Sequence, residues 1–127
     1  MMIIKNGRIL TMAGATHERG FLTIEGKKIG KVGALDDLRE SGRDCAVIDA
    51  EGGWVLPGIV EAHCHMGISG EKVGLEGNDC NEAMEPVTPY LRALDAINPM
   101  DAAFHSAILA GITSAMIGPG SSNVVGG

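Results

Sequence analysis

The chain has 127 residues, long enough for one domain with a buried core. Its net charge of −6, with no run of lysine or arginine, excludes nonspecific nucleic-acid binding, which needs clustered cations against phosphate. No apolar segment approaches the ~20 residues of a membrane span, polar residues break up positions 1–8 too early for a secretory leader, and three cysteines without CxxC spacing suit a reducing compartment, so a cytoplasmic protein is expected.

Residues 1–56 read as short β-strands punctuated by glycine. Positions 2–4 and 8–12 flank Asn6-Gly7, a strong hairpin signal. Positions 21–25 and 28–32 flank Gly26 in the same way. Residues 36–40 predict a brief helical turn before Gly42; 46–48 form another strand, and Glu51-Gly52-Gly53 turns into one at 54–56. The expectation is a small antiparallel module, one layer of a sandwich, without a catalytic constellation. His17, between Thr16 and Glu18, is expected in an exposed loop.

The apolar run then breaks at Pro57-Gly58 and restarts as a β-prone segment, 59–65, that ends His63-Cys64-His65. Alternation along a strand puts Ile59, Glu61, His63 and His65 on one side and Val60, Ala62 and Cys64 on the other. The two imidazoles stand roughly 6.6 Å apart at Cα, from a rise of ~3.3 Å per residue, and with suitable rotamers can close on one metal ion. A chain with four histidines can also carry such a triplet by chance. Against that, a carboxylate and two imidazoles facing inward on an otherwise apolar strand are costly unless a metal or a wet pocket compensates them.

Residues 66–85, rich in Gly, Asn, Asp and Glu, form a loop too long for an ordinary connection. Its acidic residues, Glu71, Glu76, Asp79, Glu82 and Glu85, are expected to be solvated, and Cys80 receives no chemistry. Residues 86–97 include a short helix with Leu91 and Leu94 on one face. A second helix follows: Asn98 as N-cap, Pro99 in the first position, Asp101 near the positive end, Met100, Ala103, Phe104, Ala107 and Ile108 at helical spacing, and Gly111 as terminator. His105 falls one turn after Asp101, as a surface pair. A strand at 112–117 completes a right-handed βαβ unit. The tail, 118–127, is a glycine-rich substrate-contacting loop or a flexible end; it lacks the lysine of a Walker loop.

Pro57-Gly58-Ile59-Val60-Glu61-Ala62-His63-Cys64-His65, preceded by Asn6-Gly7-Arg8-Ile9-Leu10 and Ile48-Asp49-Ala50, resembles the amino-terminal portion of the amidohydrolase superfamily. Residues 86–99 and 118–124 resemble its imidazolonepropionase-like branch. The resemblance implies an α/β fold: residues 1–56 as part of a composite β-sandwich, and residues 57–127 as the first β/α/β steps of a (β/α)₈ barrel. Such a barrel takes ~250 residues, so a fragment is expected, with the catalytic Asp outside this chain and sheet edges through which copies could pair. Carried over by position, His63 and His65 are metal ligands, for zinc first and manganese or iron otherwise. Glu61, where the family usually has Asp, supports one of them. The parent protein is then a metal-dependent hydrolase of non-peptide C–N bonds in small cyclic amides. The alternative is a noncatalytic fragment, or an assembly-dependent module that binds metal weakly at most.

Overall fold

The computed structural model describes residues 1–39, 45–71 and 74–125. They fall into two units, Met1–Pro57 and Gly58–Gly127. Glu40 and Gly42 of the expected helical turn, part of the long loop and the final two glycines lie outside the described residues.

In the first unit, β1 (Met2–Leu10) runs unbroken through Asn6-Gly7, so the hairpin expected there does not form. Asn6 instead takes a left-handed φ of 58°, and the pairing with β2 (Thr16–Glu25) shifts register on both sides of Gly7. The same residues that make a tight turn also make a bulge, and a strand paired on both edges selects the bulge. Glycine is required at position 7: a Cβ there would lie 2.7 Å from Val55 Cγ2. The turn into β2 comes later, where the Thr11 N–H and hydroxyl both donate to the Ala15 carbonyl. The hairpin around Gly26 does form, joining β2 to β3 (Lys28–Ala34) with Gly26 at φ 62°.

The module is not wholly antiparallel. β4 (Ala46–Asp49) and β5 (Trp54–Val55) both pair parallel to β1, giving the order β3-β2-β1-β4 with β5 also on β1. A short 3₁₀ turn, Leu35–Asp37, begins the crossover that brings the chain back parallel. Ile3, Ile9, Phe21 and Leu22 form the core. Buried Thr23 accepts the N–H of Lys31 at 2.8 Å, so its hydroxyl is not left unpaired. Asp49 ties β4 to β1, accepting from Asn6 Nδ2 at 3.0 Å and from the Glu51 N–H at 2.8 Å. His17 is half-buried within β2, opposite Ile9, rather than in a loop; the strand starts earlier than its apolar residues suggest.

The second unit is built on β6 (Ile59–Cys64) and β7 (Ile112–Ile117), paired in parallel. Between them lie the one-turn helix α1 (Ala93–Ala96) and α2 (Ala102–Leu109). Asp101, not Asn98, caps α2: its Oδ1 accepts the Ala103 N–H at 2.9 Å. Asn98 caps only a local turn, accepting from Met100 N–H at 3.0 Å. Asp101 is therefore turned inward, 7% exposed and occupied by backbone amides, rather than facing His105 on the surface. Gly111, at φ 85°, ends the helix as expected.

Within the long loop Ile68 (1% exposed) and Cys80 are buried, as is Thr88 just after it, and the Asp79 N–H donates to the Ile68 carbonyl at 2.9 Å. The described part of the tail is tied to this loop rather than free. Gly120 N–H donates to the Cys80 carbonyl, Ser122 N–H to Asn81 Oδ1, Thr88 N–H to the Val125 carbonyl, and Asn123 Nδ2 to the carbonyls of Glu82 and Glu85. Among the described residues no helix is long and apolar enough to cross a membrane.

Candidate metal site at the end of β6

β6 delivers His63 in its last turn of pleat and His65 just beyond its end. The parallel pairing holds this end: Cys64 lies opposite Ile117, and the Gly118 N–H donates to the Cys64 carbonyl at 3.1 Å. At the other end Gly58 fits only without a side chain, because a Cβ there would collide with Thr113.

The two imidazoles meet. Their ring centroids are 5.2 Å apart and the planes cross at 80°, edge to face. His63 is exposed and His65 half-buried, so solvent reaches the pair. His65 Nδ1 is 2.8 Å from the Gly118 carbonyl oxygen. A carbonyl only accepts, so Nδ1 carries the proton, and in the neutral ring Nε2 keeps its lone pair. This is the tautomer a metal-binding histidine needs, and a backbone carbonyl is a common partner for its second nitrogen. The residues fit a divalent ion as far as two nitrogen donors can. Among the described residues no group of three or more His, Cys, Asp or Glu side chains comes together to hold one.

Glu61 does not bond to an imidazole. Its Oε1 accepts the backbone N–H of His63 at 3.1 Å, fixing the strand where the first ring departs. His17 and His105 belong to β2 and α2 and take no part in the ring pair. Cys64 points to the opposite side of β6, its thiol against the Met116 carbonyl. All three cysteines are free.

Pro119, next to the carbonyl that holds His65, lines a cavity of about 370 Å³ together with Thr88, Tyr90, Arg92, Asp95 and Asn123. Two of its charged groups are already paired. Arg92 Nη2 donates to Asp95 Oδ1 at 2.7 Å, and this raises the guanidinium pKa above its ordinary value. The Tyr90 hydroxyl donates to the Glu85 carboxylate, which raises the phenol pKa. Sequence reasoning missed two contributors to this end of the unit. The Gly118 carbonyl is invisible because it is main chain. In the sequence Asp101 reads as a helix-start charge, although an acidic residue immediately before an alanine-rich helix is also an N-cap signal.

No family model matches the chain. It is 38% identical over 109 residues to amidohydrolase tasK of Hapsidospora irregularis, an alignment covering 85% of this chain and 11% of that protein. It is 31% identical over 80 residues to an imidazolonepropionase of Anaeromyxobacter dehalogenans, covering 58% of this chain and 19% of the relative. Among solved structures it superimposes on an amidohydrolase from Thermotoga maritima with a TM-score of 0.84 and 37% identity, over 97% of this chain and 31% of that one. The chain thus spans between about a tenth and a fifth of the two curated relatives. In sequence and in fold it belongs to the amidohydrolase superfamily, where it corresponds to the amino-terminal portion.

Proposed function

We propose that this chain contributes the first-strand ligands, His63 and His65, of a metal-dependent hydrolase acting on non-peptide C–N bonds in small cyclic amides. The observation that carries the reading is the convergence of the two rings at the end of β6, with the Gly118 carbonyl setting His65 to present Nε2. The imidazolonepropionase among the relatives supports the substrate class. A bound divalent ion, zinc first and manganese or iron otherwise, would supply a water of lowered pKa and polarise the amide carbonyl.

The chain's own residues do the positioning. His63 and His65 offer neutral nitrogen donors; Glu61 holds the main chain under His63; Gly118 fixes the tautomer of His65. The cavity bordered by Pro119, Thr88, Tyr90 and Asn123 has the volume of a small-molecule site, but neither His63 nor His65 lines it, so the amide ring is not placed there. Two nitrogen donors fall short of the three protein ligands of a typical catalytic zinc site. The 127 residues by themselves are therefore assigned weak metal binding and no turnover.

Purified chain with zinc or manganese, offered hydantoin, dihydropyrimidine and imidazolone rings, tests both statements. The expected result is weak binding, lost in His63→Ala and in His65→Ala, with the rings left closed. Binding that survives both substitutions would overturn the ligand assignment. Ring opening by the chain alone would overturn the statement that it lacks turnover.

A further inference from the structure

The segment leaving His65 is held by one carboxylate. The His65 carbonyl accepts from the N–H groups of Ile68 at 3.1 Å and Ser69 at 3.0 Å, closing a turn that begins at His65 itself. Within and after this turn, the N–H of Gly67 donates to Asp101 Oδ2 at 3.1 Å and that of Glu71 to the same oxygen at 3.2 Å. The other oxygen, Oδ1, caps α2. The Gly67 carbonyl accepts from Asn98 N–H at 2.9 Å, so the turn is fastened on both sides. Space is short as well: Gly67 sits at φ 78°, and a Cβ there would lie 2.9 Å from Phe104 Cε2 and 3.1 Å from Ile97 Cγ2.

We infer that Asp101 is a positioning residue for the histidine pair, joining the turn that follows His65 to the start of α2. The inference rests on the reading of His63 and His65 as ligands. A residue serving only as helix cap would need one oxygen. The second accepts from Gly67 within the turn that follows His65 and from Glu71 just after it, and a residue only 7% exposed has little water to replace those donors.

Asp101→Asn separates the two tasks. Asparagine caps a helix as well as aspartate does, but cannot present one acceptor to Ala103 and another to Gly67 and Glu71. In the 127-residue chain, amide exchange at Gly67 and Glu71 is expected to rise about tenfold or more while α2 stays protected. The magnetisation transfer between the His63 and His65 rings should weaken, and zinc affinity should fall by about tenfold, the lower end of the loss seen when groups supporting a ligand are removed. Asp101→Ser, whose hydroxyl reaches the cap alone, gives the same comparison if the asparagine variant does not fold. Unchanged exchange at Gly67 and Glu71, or an unchanged ring contact despite faster exchange, would overturn the inference. A wild-type chain that binds no zinc would refute the ligand reading instead, and the exchange and ring measurements would still decide for Asp101.

Discussion

Replacing Ile68 by alanine tests whether the long loop is a folded part of the second unit or a loose connection. Ile68 is 1% exposed, more buried than any other large side chain among the described residues, and lies three positions after His65. The substitution removes three carbons. At about 0.8 kcal/mol per buried methylene the transfer term alone is roughly 2.4 kcal/mol. A partly relaxed cavity adds to it, for an expected loss of about 3–4 kcal/mol. Ile68→Val removes one carbon and should cost about 1 kcal/mol. Leu75→Ala, in the same loop but 89% exposed, should stay within about 0.5 kcal/mol of the parent. Urea titration read by Tyr90, the chain's one tyrosine and a residue of the second unit, reports the relevant transition; Trp54, the one tryptophan, lies in the first unit. A loss in Ile68→Ala no larger than in Leu75→Ala would refute the burial argument.

Three further outcomes follow from particular contacts. Gly70→Ala should destabilise by more than the ~1–2 kcal/mol of a left-handed alanine, because its Cβ also collides with the Gly77 carbonyl; Gly14→Ala, at φ 103° with open space around it, should cost only the backbone term, both read from urea midpoints. The Asp49 carboxyl is held below its ordinary pKa by the Glu51 N–H and the Asn6 amide, so its stabilisation is present above pH ~4 and is lost as pH falls through the lowered folded value; Trp54-monitored unfolding between pH 6 and 2.5 should show that acid loss, and Asp49→Asn should lack it. Spectrophotometric titration of Tyr90 should give a midpoint above its ordinary value of 10.0, and Glu85→Gln should bring it down; equal midpoints would contradict the bond.

What the sequence made legible was mostly what alternation and glycine chemistry dictate. The strand ending in the histidine pair was readable because its small apolar side chains alternate with polar ones, and the hairpin at Gly26 because two β-prone runs sit two residues apart around it. Asn6-Gly7 carried an equally strong local signal and gave the wrong element. Pairing of β1 with β2 on one edge and with β4 and β5 on the other outweighs the local turn preference, and Asn6 keeps its positive φ inside the strand. The start of α2 was misplaced for a related reason. Asn98-Pro99 and Asp101 are both acceptable helix starts by composition, and the choice falls to Asp101 because its second oxygen is claimed by Gly67 and Glu71, residues thirty or more positions away. Long-range main-chain partners of this kind, like the Gly118 carbonyl on His65, leave no trace in spacing or propensity.

The most direct test of the metal site is a zinc titration of the chain followed by long-range proton–nitrogen spectra of the four imidazoles. The account predicts that His63 and His65 shift together, that His65 keeps its proton on Nδ1 and binds through Nε2, and that His17 and His105 stay still. Zinc that moves only one ring of the pair, or that moves His17 or His105 instead, would contradict it.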